Sequence, residues 1–458
     1  MAYNFKSCDR SQGYLLPPTL SDWLAEDHLA WFIIDAIEQI DISVFYENYR
    51  SDGVGNTAFD PAMMLTLLMY AYSTGERSSR RLEKFCQSDV AYRVITANEC
   101  PDHTTISRFR KKNQKNLKKI FLEILRLCGE ADLVKLGKIS LDGTKMKANA
   151  SLSANRTLKK LQKEIDEMFR EADKTDRQED LLYGEGNRGD EMPDELQTRN
   201  SRRKRLEACK QRLEQEAAEA RKAQQDKIDE REKKQKQSGK KSRGRKPKSP
   251  EDAENKEAKA NPTDPESRIV KTRKGYEQGY NAQAVVTENQ IIIAEDVTQQ
   301  ANDQKQLHPM IEQTESNRKQ LGIDEKLGVL LADAGYCSED NLTTVPAGDV
   351  ELLVATQKDW KQRKAAEEAV EIAGPPPKGT SATELMEQTL RTERGRTLYK
   401  LRSQTVEPVF GQIKSNRGID GFLRRGIEAC RSEWSLICAT HNLLKLYRSG
   451  KAAWLTVS

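Results

Sequence analysis

Apolar residues recur at helical spacing through the first 130 positions of the chain. From Ser21, which we expect to be an N-cap, apolar side chains follow one another at three- and four-residue steps as far as Ile40. Asp60-Pro61 combines a capping side chain with proline at the first helical position, which favours a helix start. The pattern predicts helices over five segments: 21–40, 61–75, 78–87, 89–95 and 104–128. The N-terminal region is therefore predicted to be entirely helical.

At Lys138 the pattern changes from helical spacing to alternation. ISLDGTKMKA predicts a first strand, and YNAQAVVT and QIIIAEDV predict two more, joined by a short turn at Glu288-Asn289. A helix over 304–321, the strands GVLLAD and ELLVAT, and helices near 383–417 and 428–447 follow. Three strands and then alternating helices and strands predict an α+β fold, in which helices flank a mixed sheet in the order of an RNase H-like domain.

A highly charged segment interrupts this domain after its first strand. Residues 151–260 contain 30 Lys/Arg and 25 Asp/Glu, whereas the rest of the chain has equal numbers of each, so the net charge of +5 arises here. Apolar residues at three- and four-residue steps on both sides of a Gly/Pro-containing stretch predict two helices folded back as a coiled-coil hairpin. The Lys-, Pro- and Ser-rich stretch 239–265 predicts disorder.

These patterns divide the chain into three parts. We expect a helical domain over residues 1–135, the RNase H-like domain over residues 136–154 and 263–458, and the charged insertion over residues 155–262. The eight cysteines form no C-x-x-C pair, which argues for free thiols and against a structural zinc site. The N-terminus lacks a signal peptide and no apolar run of about 20 residues occurs, so we expect a soluble, cytoplasmic protein without a membrane partner.

Three acidic residues stand out by their positions in the predicted elements. Asp142 interrupts the first strand, Asp333 closes the strand VLLAD, and Glu407 precedes a proline at a predicted helix start. Buried carboxylates repel one another unless a cation neutralises them, and oxygen ligands suit Mg²⁺ or Mn²⁺. Two such ions activate an attacking water or 3′-hydroxyl and stabilise the leaving oxygen. Strand aspartates are also common as turn formers and salt-bridge partners, so the spacing alone leaves both interpretations open.

A rival site consists of His308 as a base and Asp303 as the residue that orients it. The two flank a predicted helix start, where Asp303 fits equally well as an N-cap.

Around these acids the sequence resembles the DDE transposases of bacterial insertion sequences, and the resemblance covers most of the chain. ISLDGTKMKANAS resembles the first catalytic block, LLADAGYCSEDN the second and TVEPVFGQIKSNRG the third. KGYEQGYNAQAVV fits the family's strand pair. LPPTLSDWLAEDHLAWFIIDAI, FDPAMMLTLLMYAYSTGERSSRRLEKFC and PDHTTISRFRKKN are similar to its helical DNA-binding region.

The resemblance implies that Asp142, Asp333 and Glu407 are the catalytic residues and hold two Mg²⁺ ions, for which Mn²⁺ substitutes. Some relatives carry a signature of Tyr, Arg and Lys around the glutamate, and here Tyr399, Arg402 and Lys414 occupy similar places. Arg402 is separated from the glutamate by four residues instead of three, which leaves the roles of Tyr399 and Arg402 open. Lys414 lies two helical turns after Glu407 and is either a phosphate contact or a solvated lysine.

Residues 77–119 contain twelve basic residues and four acidic ones, a charge balance that fits a phosphate-binding surface. A helix that begins at Thr104-Thr105 would present Arg108 and Lys112 one turn apart, with its N-terminus directed at a major groove. The alternative is a solvated basic face. The basic residues that we expect to contact DNA in this region are Arg77, Arg80, Arg81, Arg108, Arg110, Lys111 and Lys112.

The function that these features predict is a transposase that binds the terminal inverted repeats of its element, cleaves a strand and joins it to target DNA. Its partners are double-stranded DNA and, because two ends are paired, a second copy in a homodimeric synaptic complex. A DNA-binding protein that has lost the chemistry and a coiled-coil scaffold are the alternatives. The basic tract 199–248 of the insertion permits DNA contact, dimerisation or a passive spacer role.

Overall fold

The computed structural model describes residues 19–47, 49, 57–168, 170, 194–238, 249–250, 258–272, 275–344, 349–357, 379–452 and 454. Its N-terminal part is helical, as predicted. A 3₁₀ turn over Leu20–Trp23 precedes seven helices: α1 (Leu29–Glu38), α2 (Ser43–Tyr46), α3 (Pro61–Ser73), α4 (Ser79–Ser88), α5 (Val90–Ile95), α6 (His103–Lys112) and α7 (Gln114–Glu130).

Local capping chemistry explains where these helices begin. The Asp60 side chain accepts from the Ala62 amide, which confirms the predicted helix start at Pro61. Ser21 is not a helix cap, because it lies inside the 3₁₀ turn and α1 begins later, capped by His28. The long helix predicted to end at Cys128 is two helices that meet at the buried Asn113, whose side-chain amide donates to the Phe109 carbonyl.

The second part is a mixed six-stranded sheet. Its strands are β1 (Lys138–Lys147), β4 (Arg268–Thr272), β5 (Gly275–Thr287), β6 (Ile292–Thr298), β7 (Val329–Ala332) and β8 (Glu351–Val354), while β2 (Arg156–Thr157) and β3 (Lys259–Ala260) form a separate pair. β5 pairs antiparallel with β1 on one side and with β4 and β6 on the other; β7 and β8 continue parallel to β1. The mixed sheet flanked by helices agrees with the predicted RNase H-like arrangement.

The helices that follow β6 in the chain cover this sheet. They are α10 (Leu307–Gln320), α11 (Glu339–Thr343), α12 (Ala382–Arg391), α13 (Glu393–Gly411), which continues as a π-helical turn over Gln412–Asn416, and α14 (Ile427–Ser449). α12 and α13 cover a face formed by Val329, Leu331 and Leu353. α14 packs against β6 and also against α3 and α7, so one hydrophobic core runs from the N-terminal helices into the sheet.

Two helix predictions in this region were wrong. The single helix predicted over 383–417 is broken at Thr392, whose side chain caps α13 by accepting from the Gly395 amide. Pro408 does not mark a helix start, because it lies inside α13. Proline leaves the carbonyl four residues earlier without its donor. Here the Gln290 side chain supplies that donor, with Nε2 3.0 Å from the Gln404 oxygen.

The charged insertion begins and ends at the β2–β3 pair. Residues 158–168 form helix α8, and Asp194–Ser238 form helix α9. A small core joins them, made of Leu161, Ile165, Leu206, Cys209, Leu213 and Ala260. The turn predicted between the two helices lies outside the described residues, as do 239–248 and 251–257 of the stretch predicted to be disordered.

The end of that stretch is ordered, because Asp264 is buried and accepts from the Tyr280 hydroxyl at 2.9 Å. Among the described residues, no helix is long and apolar enough to cross a membrane.

Candidate active site

Asp142 and Asp333 lie at the same place on two neighbouring strands. β1 and β7 run parallel with Leu141 opposite Ala332, so the next residue of each segment is one of the two acids. β7 ends at this point, whereas β1 continues beside β5 to Lys147. The strand register therefore brings together two acids that are almost 200 positions apart in the chain.

A tight turn after β7 holds the second acid. Asp333 Oδ1 accepts from the Gly335 amide at 2.8 Å. A Cβ on Gly335 would lie 2.8 Å from Asp333 Oδ1 and 3.3 Å from Asp303 Oδ2, closer than side chains normally tolerate. A side chain at position 335 would therefore displace one or both carboxylates.

The third predicted acid, Glu407, reaches the first through an arginine. Arg402 Nη2 lies 2.6 Å from Asp142 Oδ2, and Arg402 Nη1 lies 3.4 Å from Glu407 Oε1. Both Arg402 and Glu407 belong to α13, which packs on β1, where the Thr405 and Ser140 hydroxyls are 2.6 Å apart. Glu407 is the most exposed of the three predicted acids, with 57% of its side chain accessible to solvent. The arginine is thus the counter-charge that the acids share.

Burial is the main influence on the pKa of Asp142. Burial raises its pKa to about 6, and the neighbouring Asp333 and Asp303 carboxylates act in the same direction. The Arg402 guanidinium lowers the pKa of Asp142 without cancelling the effect of burial. Additional positive charge at this place would therefore stabilise the ionised carboxylate.

A fourth acid, Asp303, lies beside these residues. Its Oδ1 accepts from Asn281 Nδ2 at 2.6 Å and from Gln283 Nε2 at 2.9 Å, both on β5. Within the described residues, Asp303 makes no hydrogen bond to His308, whose Nε2 lies 3.1 Å from the Asn341 carbonyl. Asp303 occupies an N-cap position, but its side chain makes no capping hydrogen bond.

Beneath the acids lies the fully buried Tyr336. Its hydroxyl donates to Gln283 Oε1, the same side chain that donates to Asp303. Burial raises the pKa of Tyr336 well above 10, and Asp303, Asp142 and Asp333 raise it further. The phenol therefore stays protonated. Sequence reasoning missed Tyr336 and the role of Asp303, although both follow the ends of predicted strands.

The signature residues Tyr399 and Lys414 contact the same strands. The Tyr399 hydroxyl donates to the Ala332 carbonyl at 3.3 Å, directly before Asp333. Lys414 lies in the π-helical turn and donates to the Lys145 carbonyl at 2.7 Å on β1. Burial lowers the pKa of Lys414. With Arg402, these contacts place all three signature side chains against the two strands that carry the aspartates.

The donor set has the chemistry of a divalent-cation site, although its acids are not gathered around one point. In the described parts of the chain, no three His, Cys, Asp or Glu side chains are grouped closely enough to hold a metal ion. Asp142, Asp333 and Glu407 offer only oxygen atoms, which fits Mg²⁺ or Mn²⁺. Since Arg402 lies between Asp142 and Glu407, a cation shared by all three acids requires the guanidinium to move.

The basic residues of the N-terminal helices fall into two groups. Arg77 is buried, pairs with Glu433 at 2.7 Å and donates to the Gly421 carbonyl, so its guanidinium is engaged inside the protein. Arg110 is half-buried and donates to the Arg77 carbonyl and to Ser79. The remaining predicted contacts are exposed on α4 and α6: Arg80, Arg81, Arg108, Lys111 and Lys112.

Two parts of the chain match known family models. Residues 18–112 match the family described as Transposase domain (DUF772), and residues 245–443 match the Transposase DDE domain. The first match covers helices α1 to α6. The second contains Asp303, Asp333 and Glu407 and begins after β1, which carries Asp142. No curated protein and no solved structure matches the chain significantly.

Proposed function

The chain belongs to the DDE transposases of insertion sequences, and we propose that it binds the terminal inverted repeats of its element, cleaves a DNA strand there and transfers it to target DNA. The observation that carries this proposal is the parallel register of β1 and β7, which sets Asp142 beside Asp333. Two carboxylates at one edge of a sheet, with a third reached through Arg402, form the acidic centre that metal-dependent phosphodiester chemistry needs.

Asp142, Asp333 and Glu407 are the residues that we assign to the divalent cations. Two Mg²⁺ ions, or Mn²⁺ in their place, held by these acids would supply Lewis-acid activation of the attacking water or 3′-hydroxyl and would stabilise the leaving oxygen. The raised pKa of Asp142 supports this assignment, because a buried carboxylate with like-charged neighbours gains most from added positive charge.

The surrounding residues of the chain position these acids. Arg402 neutralises Asp142 and Glu407, and its guanidinium would have to leave them for a cation to be shared by both acids. Tyr399 fixes the end of β7 through the Ala332 carbonyl. Lys414 is anchored on β1, from where its ammonium group serves as a phosphate contact.

We assign the N-terminal helices to binding the DNA at the ends of the element. α6 begins at His103 with Asp102 as its cap and exposes Arg108 and Lys112 one turn apart. Arg80, Arg81 and Lys111 extend the exposed basic surface. We assign these five side chains to DNA contacts, and we assign Arg77 and Arg110 to holding the helices on the catalytic sheet.

Pairing two ends of an element requires two copies of the chain, so the active complex is a homodimer on DNA. We assign the charged insertion to sequence-independent DNA contact. Beyond Leu213 no described side chain of α9 is buried, and that part of the helix carries lysine and arginine at its surface.

The test uses the full chain and a duplex that carries the DNA flanking its coding region. We expect nicking at the element's end with Mg²⁺ and none with EDTA. Asp333→Asn should lower the rate about a hundredfold or more, whereas Glu312→Gln, an exposed acid on α10, should leave it unchanged. Equal cleavage by Asp333→Asn would overturn the ligand assignment. Binding of the duplex without cleavage in either Mg²⁺ or Mn²⁺ would instead establish a DNA-binding protein that has lost the chemistry.

A further inference from the structure

The turn that carries Asp333 begins where strand pairing stops. β7 ends at Ala332, so Asp333 is the first residue that no longer pairs with β1. Among the described residues, its side chain and carbonyl accept only from the Gly335 and Tyr336 amides, which belong to the same turn. The place of Asp333 beside Asp142 therefore depends on how the rest of the turn is attached.

A single hydrogen bond joins this turn to the sheet. The Tyr336 hydroxyl donates to Gln283 Oε1 on β5, and in the part of the chain that the structure describes no other hydrogen bond connects residues 333–336 to a strand. β1 lies between β7 and β5, so this bond spans the strand that carries Asp142. Gln283 pairs with Gly143, the residue after that acid. The turn is thus attached to the sheet at the level of the first acid.

The acceptor of this bond is itself fixed. Gln283 is fully buried, its carbonyl accepts from Trp434 Nε1 at 3.0 Å, and its Nε2 donates to Asp303 Oδ1 at 2.9 Å. The carboxylate needs a donor and the protonated phenol needs an acceptor, so only one orientation of the amide satisfies both neighbours. Asp303 therefore orients the amide that holds Tyr336.

The same amide lies against the main chain of β1. A Cβ on Gly143 would overlap Gln283 Nε2 and would lie 2.6 Å from Asp303 Oδ1. Both groups therefore pack directly on the backbone next to Asp142. One side chain thus contacts the strand of the first acid and holds the turn of the second.

We propose that the hydrogen bond between Tyr336 and Gln283 sets the place of Asp333 beside its partner acid. Both are positioning residues, and Asp303 acts through them by orienting the amide. This inference rests on the proposed function, since the two acids are those assigned to strand cleavage. Catalytic groups act within about 0.5 Å of their productive geometry, and a displacement of about 1 Å costs on the order of a hundredfold in rate. A buried hydroxyl that does not reach DNA therefore acts on the rate through Asp333.

The test removes this hydroxyl alone. Tyr336→Phe keeps the ring and should lower kcat for cleavage of the end duplex about tenfold or more, with KM for the duplex unchanged, because the DNA-binding surface is intact. The Mn²⁺ affinity of the DNA-free full chain, measured by electron paramagnetic resonance titration, should fall about tenfold as well.

A second variant removes the acceptor of the same bond. Gln283→Leu should give the same losses of kcat and Mn²⁺ affinity as Tyr336→Phe. In the double variant the losses should not add, because both substitutions break one bond. Additive losses would show that the two residues act separately, which contradicts the proposal.

Tyr280→Phe is the matched control. Tyr280 is also fully buried on β5, where it pairs with Met146, and its hydroxyl donates to the buried Asp264 carboxylate at 2.9 Å. Both Tyr→Phe variants lose a buried hydrogen bond and should have lower melting temperatures. A purely structural role for Tyr336 predicts that both keep wild-type kcat and Mn²⁺ affinity well below their melting transitions. The positioning role predicts that only Tyr336→Phe loses them.

The results distinguish this inference from the proposed function. Wild-type kcat and Mn²⁺ affinity in Tyr336→Phe, together with their loss in Asp333→Asn, would overturn the positioning role and leave the proposed function intact. A wild-type chain that neither binds Mn²⁺ nor cleaves the duplex would overturn both.

Discussion

The guanidinium of Arg402 joins Asp142 to Glu407, with one nitrogen 2.6 Å from the first carboxylate and the other 3.4 Å from the second. The two acids are separated by more than 260 positions in the chain, and this arginine is 11% exposed. It is therefore both a counter-charge and a physical link between β1 and the exposed glutamate of α13.

Replacing this arginine should change how cleavage depends on pH. Arg402 lowers the pKa of Asp142, so in Arg402→Gln that pKa should rise further above about 6. We expect slower cleavage at subsaturating Mg²⁺ and an acidic limb of the pH–rate profile displaced to higher pH. Arg402→Lys keeps the charge and should return the limb toward its original position. An unmoved limb in Arg402→Gln would show that the guanidinium does not act on Asp142.

The raised pKa of Asp142 also predicts how stability depends on pH without metal. An ordinary Asp side chain has its pKa at 3.8, and here it is about 6, so the folded state holds its proton more tightly than the unfolded state. The free energy of unfolding should therefore fall as pH rises through this window, by roughly 3 kcal/mol. The wild type should lose stability relative to Asp142→Asn as the pH rises from 3.8 to about 6. Parallel pH profiles of the two proteins in urea melts would contradict the raised pKa, and saturating Mg²⁺ should reduce the difference.

Two arginines of the N-terminal helices should behave in opposite ways. Arg77→Ala leaves Glu433 buried without its partner, which should cost about 3–5 kcal/mol of unfolding free energy. Arg108→Gln changes an exposed side chain and should leave stability within about 0.5 kcal/mol of the wild type.

Arg108 should also contribute to DNA binding. For Arg108→Gln we expect weaker binding of the end duplex and a slope of affinity against salt that is smaller by about 0.9 for the lost phosphate contact. Filter-binding titrations at several salt concentrations measure this slope. An unchanged slope would remove Arg108 from the proposed DNA surface.

The proline inside α13 predicts an energetic coupling with β-turn residue Gln290. Gln290→Ala removes the donor of the Gln404 carbonyl and should cost about 1–3 kcal/mol. In Pro408→Ala the restored backbone amide bonds to that carbonyl, so Gln290→Ala should cost less there. A double-mutant cycle in chemical denaturation should give a coupling of about 1 kcal/mol. Additive effects of the two substitutions would mean that the carbonyl does not depend on Gln290.

Local patterns were sufficient to predict five of the six strands of the sheet, whereas β4 was not predicted. Alternating residues identified β1, β5 and β6, and the ends of apolar runs identified Asp333. The parallel register of β1 and β7, which pairs Leu141 with Ala332, then places an acid within one strand beside an acid that follows its neighbour. The match of 245–443 to the Transposase DDE domain confirms the family predicted from these blocks.

The features that sequence reasoning missed depend on contacts between distant segments. Asp303 is placed by two amides on β5, and nothing near position 303 distinguishes it from an ordinary helix cap. Pro408 was predicted to start a helix from its local preference, but it lies inside α13. There the side chain of Gln290, on a separate turn, supplies the donor that the Gln404 carbonyl lacks. Arg77 and Arg108 are equally basic in sequence, and only the burial of Glu433 separates their roles.

The uninterrupted hydrophobic core between α3, α7, α14 and the sheet sets the mechanical character of the molecule. The basic face of α6 and the acids of β1 and β7 therefore belong to one rigid body and are not joined by a flexible linker. In the proposed function, the distance between the bound repeat and the cleaved bond would therefore be fixed by the protein. Inserting five base pairs between the repeat and the cleaved bond should therefore abolish cutting at the original position, because a rigid protein cannot accommodate the added length.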